Sequence, residues 1–111
     1  VTPATTARAR SGDVMITGAD ASAALVPAAV QRTPRIGIDR TPSGRPAWTR
    51  VPAHYLIASD DRALDPATQA ELAHRMCARV DTVAAPHAAM LTHPGEVTRF
   101  LVDVVSSTTG L

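Results

Sequence analysis

The chain has no lysine; all eleven of its basic side chains are arginine, set against ten carboxylates for a formal charge of +1. So even a balance gives no electrostatic reason to expect nucleic acid or an anionic membrane as a partner. Arg8, Arg10, Arg32, Arg35, Arg40, Arg45 and Arg50 make the first half basic, but they are spread through loop-like sequence without interleaved aromatics. That pattern reads as a solvated surface. Aromatics are almost missing: one Phe, one Tyr and one Trp, and alanine supplies much of the 45% apolar content. Since Ala buries little area, the expected core is shallow. The single cysteine, Cys77, excludes an internal disulfide and gives no sign of an oxidising compartment. No window approaches the roughly 18–20 apolar residues of a membrane span, and the N-terminus lacks the apolar stretch of a signal peptide. The expectation is a soluble, cytoplasmic protein. Val1 in the place of Met reads as a trimmed, processed or non-AUG start.

What is present divides near residue 50. Residues 1–18 read as a flexible segment and 19–111 as one domain, with its patterned core over 48–105. Residues 19–32 are helix-like, with Asp20 or Ser22 as N-cap and Pro27 expected to kink or restart the helix. Residues 33–47 carry three Pro and two Gly and read as loop. The second half is more regular. Tyr55–Ala58 is a short buried-type strand. Asp65-Pro66 opens a helix expected to run to about Arg79, with Leu72, Ala73 and Met76 on one face. Val80–Ala84 is a second strand. Pro94 opens a last helix whose Val97, Phe100, Leu101, Val104 and Val105 follow the helical i, i+3, i+4 stripe, with Gly110 after its end. Strand–helix–strand–helix predicts a parallel pair joined by a right-handed crossover.

Ligands of open α/β sheets bind beyond the carboxyl ends of the strands. Asp60 and Asp61 follow the first strand there and His87 follows the second, so a carboxylate and an imidazole are expected as neighbours. A carboxylate on one ring nitrogen fixes the tautomer and leaves the other nitrogen free to take a proton. His93 reads as structural, near the start of the last helix. Met76 and Cys77 read as helical packing residues away from this edge. The His and Asp spacings match no strong zinc pattern, so no metal and no cofactor is expected.

Residues 47–105, from AWTRVPAHYLIASDDRALDPATQAELAHRM through DTVAAPHAAMLTHPGEVTRFLVDVV, resemble the C-terminal end of an α/β-hydrolase of the small bacterial esterase-like type. The stretch ASDDRALDP is similar to the family's acid turn, with Ala58 in the small-residue place and Asp61 matching the acid. APHAAMLTHP is similar to the histidine loop, with His87 matching the base and His93-Pro94 starting the final helix. Residues 19–47 are more loosely similar, with Pro27 and the Gly37 region departing from the pattern. The resemblance implies an α/β fold: a partial hydrolase-like sheet preceded by a helix and loop region. It further implies Asp61 and His87 as the catalytic residues, with Asp60 a neighbour. The family's order is nucleophile, acid, histidine, with the nucleophile on a G-x-S-x-G elbow. No such elbow occurs in this sequence, and neither does the oxyanion loop. Ser11, Ser22, Ser43, Ser59, Ser106 and Ser107 lack an elbow context. The resemblance therefore implies two members of a triad, inactive alone or completed by a partner chain for ester or amide hydrolysis. A truncated or decayed hydrolase, and a non-catalytic binding or assembly module, are the competing expectations. A sheet so narrow also predicts a homo-oligomer or a partner chain that completes it.

Overall fold

A computed structural model describes residues 15–16, 21–32 and 34–110. The expected flexible segment 1–18 falls outside these apart from Met15 and Ile16. The described architecture is mixed α/β: helices around a two-stranded parallel sheet.

Helix α1, Ala21–Val30, is alanine-rich and contains Pro27. Of the kink or restart expected at Pro27, the restart does not occur; the helix runs through it. Proline has no N–H to offer the Ala23 carbonyl, but Ala, the strongest helix former, fills half of the segment. The Pro-rich stretch that follows contains two short 3₁₀ turns, Ile38–Arg40 and Ala47–Thr49, separated by loop.

Strand β1, His54–Ala58, pairs in parallel with β2, Arg79–Val83, in the register His54↔Arg79 to Ala58↔Val83. Both strands start one residue earlier than their sequence patterns suggest. Between them lies α2, Pro66–Arg75. Its start follows the sequence: Pro66 is at the first helical position, and the Asp65 carboxylate accepts the N–H groups of Ala67 and Thr68 at 3.1 and 3.2 Å. Its end does not. The helix stops at Arg75 rather than Arg79, because Cys77 turns into the left-handed region (φ 49°) and the Ala78 N–H closes on Ala73 O at 2.9 Å. Cys77 therefore lies in an exposed turn, not inside the helix.

After β2 a short helix α3, Ala89–Thr92, precedes α4, Pro94–Thr109. The α4 helix ends at Gly110, whose left-handed φ of 69° suits a residue without a Cβ. The core is mostly alanine: Ala58, Ala73, Ala85, Ala88 and Ala89 are buried, with Val83 and Ile16. Leu56 and Val97 cover Val83, Ala85 and Ala89. The rest of the α4 stripe is poorly covered, with Leu101 and Val105 more than half exposed. No helix among the described residues is long and apolar enough to cross a membrane.

Candidate active site

The parallel ladder extends past the strand ends. Ser59 N–H donates to Val83 O at 2.9 Å, and Asp60 N–H to Ala85 O at 3.1 Å. These two bonds pin the turn after β1 against the loop after β2, at the carboxyl ends of both strands. Asp61 and His87 stand in those two segments, and they meet: His87 Nδ1 lies 2.8 Å from Asp61 Oδ2. On the far side of the histidine loop, Ala88 N–H donates to Met15 O at 2.8 Å. That contact joins residues 73 positions apart and braces the backbone next to His87.

The two partners differ sharply in exposure. The Asp61 side chain is 4% exposed and that of His87 41%. Burying a carboxylate is costly unless its lone pairs are engaged, and here all are. Oδ1 accepts Ala63 N–H at 2.8 Å and Leu64 N–H at 2.9 Å. Oδ2 accepts Gln69 Nε2–H at 3.0 Å together with the His87 ring. Burial raises the Asp61 carboxyl, but the Leu64 N–H, the His87 ring and the Ala63 N–H outweigh it and hold the group below its ordinary value of 3.8. A carboxylate surrounded by donors has no place for a proton of its own. The proton in the His87–Asp61 bond therefore belongs to Nδ1, and in the neutral imidazole it is Nε2 that carries the lone pair. Among the described residues nothing is hydrogen-bonded to Nε2.

Gln69, on α2, was not picked out by the sequence reading, yet it is 3% exposed and among the most buried polar residues described. The signal was helical spacing: Gln69 stands one turn before Ala73, a residue placed on the inward face, and both are buried. Asp60, by contrast, is exposed and engages the site only through its backbone. His93 is the N-cap residue of α4, with Nδ1 2.8 Å from Thr92 Oγ1, and is not part of the pair. Leu72 and Met76, expected on the inward face with Ala73, are only partly covered.

An open cleft of about 360 Å³ runs beside Asp61 and His87, lined largely by Tyr55, Leu56, Leu64, Met90, Phe100 and Leu101. It offers apolar surface next to the imidazole. Among the described residues no group of three His, Cys, Asp or Glu is placed to hold a metal ion. Comparison with protein-family models, with curated proteins and with solved structures finds no match in any of the three. What the site can do is argued from its geometry.

Proposed function

We propose that Asp61 and His87 are the acid and base of a hydrolytic site whose nucleophile and oxyanion donors come from outside these 111 residues. The observation that supports this reading is the 2.8 Å bond between an exposed imidazole and a buried, fully hydrogen-bonded carboxylate. In it His87 Nε2 takes the proton of an attacking hydroxyl, and Asp61 stabilises the imidazolium that results. The substrate is a small ester or amide, with its apolar part in the cleft beside Met90 and Phe100. The similarity of ASDDRALDP and APHAAMLTHP to the acid turn and histidine loop of α/β-hydrolases supports the same assignment.

The test is p-nitrophenyl ester hydrolysis by this chain alone, and by the chain completed with the adjoining coding sequence or a neighbouring frame that encodes a G-x-S-x-G elbow. Alone, wild type and His87→Ala are expected to be equal, at background. Completed, turnover is expected and His87→Ala lowers it by about 10³-fold or more. Turnover that survives His87→Ala in the completed protein rejects the proposal. A second reading, a non-catalytic assembly module, is favoured by the half-exposed Leu101, Val102 and Val105 on α4 and by the edge of each strand that, among the described residues, no further strand pairs. A stable homo-oligomer in light scattering, with no turnover after completion, selects it.

A further inference from the structure

We infer that Gln69 is a positioning residue for His87: its carboxamide, clamped to the end of β1, aims the Asp61 carboxylate so that the histidine proton stays on Nδ1. The inference rests on reading His87 as a base, but its physical basis is local. Ser59 N–H points to β2, so by the alternation of strand backbones the N–H and C=O of Ala58 point to the opposite, unpaired edge. Gln69 fills that edge. Its Oε1 accepts Ala58 N–H at 3.1 Å, and its Nε2 donates back to Ala58 O at 3.3 Å. One side-chain amide thus meets β1 as the next strand's backbone would.

That double contact fixes which end of the amide faces the acid. Nε2 also lies 2.8 Å from Leu64 O and 3.0 Å from Asp61 Oδ2. Turned round, the amide would set an oxygen against three acceptors and an N–H against the Ala58 N–H. The donor toward Asp61 therefore cannot rotate away, and Oδ2 is shared by two donors whose directions are both set. Backbone N–H groups hold only Oδ1. Without Gln69 the carboxylate is free to swing about that anchor, and the orientation of Oδ2 toward His87 is no longer determined. The Ala58 groups that Gln69 pairs are buried beside it, so the strand end and the acid are fixed by one residue.

The test is NMR on the full chain, labelled with ¹⁵N and ¹³C. In the wild type, neutral His87 is expected to be the Nδ1–H tautomer, and the Gln69 Nε2 protons are expected to shift with the midpoint at which the Asp61 carboxyl titrates. Gln69→Met removes every polar contact. Gln69→Glu keeps an oxygen for Ala58 N–H but turns a second carboxylate toward Asp61 in alkaline buffer. In both variants neutral His87, observed in alkaline buffer, is expected to redistribute between its two tautomers. If Gln69 only supports the fold, Gln69→Glu keeps the wild-type tautomer, and that result overturns the inference. Gln69 protons indifferent to the Asp61 titration in the wild type overturn it without any variant. None of these readouts involves ester turnover. A fixed tautomer without turnover in the completed protein removes the functional reading alone, and turnover with an unchanged tautomer in Gln69→Glu removes the role of Gln69 alone.

Discussion

Replacing Asp61 by Asn alters one atom's chemistry at the centre of the site, and the contacts determine its cost. Asn keeps an oxygen for Ala63 and Leu64 N–H, so its amide nitrogen must stand where Oδ2 accepted Gln69 and His87. Gln69 cannot turn to meet it, being held by Ala58. His87 can, but only by moving its proton to Nε2. The exchange loses one hydrogen bond to a charged acceptor, about 1.5–3 kcal/mol, and weakens the two that remain. The expected destabilisation is about 2–4 kcal/mol, or about 1–2 M in the urea midpoint followed by circular dichroism. The pH dependence makes the test sharper. The folded carboxyl titrates below its unfolded value of 3.8, so its contribution is fully present above that value and is lost as pH falls through the folded midpoint. Wild type and Asp61→Asn should therefore differ by a constant amount near neutrality and converge in acid below 3.8. A difference that persists unchanged to about pH 2 would mean that the charge on Asp61 is not what the four donors hold, and the argument for the Nδ1–H tautomer would fail with it.

Two further substitutions test the elements that carry the site. Asp65→Ala removes the carboxylate that caps Ala67 and Thr68 and should cost about 1 kcal/mol, seen as a thermal midpoint lower by several degrees; no change would mean that α2 does not depend on its cap. Cys77→Gly relieves a left-handed residue, worth about 1–2 kcal/mol, against about 0.4–1 kcal/mol of added chain entropy in the unfolded state. A small net stabilisation is expected in urea titrations, and a loss would show that the thiol packs in a way its exposure does not suggest.

How much of this was legible in the sequence follows from the range of the forces involved. Asp65-Pro66 marked the start of α2, and Pro94 with Gly110 bracketed α4, because capping chemistry acts within a turn. The meeting of Asp61 with His87 was legible because two parallel strands bring their carboxyl ends to one edge. The early stop of α2 was not, since Cys77 takes a conformation that sequence reasoning assigns to Gly or Asn. That α1 carries on past Pro27 without a restart was not legible, because the rule against helical proline weighs one bond and not the alanines around it. Gln69 was hidden by its type, since an amide on a mostly polar helix reads as solvated. The brace from Met15 to Ala88 had no local signal whatever.

Stability alone does not account for the pair. An ionised group taken out of water is at best offset by its hydrogen bonds, and apolar residues of similar volume serve a core as well or better. Yet in a core built mostly of alanine, one carboxylate is buried with four donors around it. Those donors come from residues 63, 64, 69 and 87, so the acid is set up by its own strand–helix–strand unit. The imidazole bonded to it stays exposed beside a cleft, and no described residue is hydrogen-bonded to its second nitrogen. A solvated turn aspartate would show neither the burial nor the saturation, and a purely structural histidine would have its partner without the opening. On the proposed reading, that leaves His87 as a base poised toward the surface, ready for a group that brings it a proton.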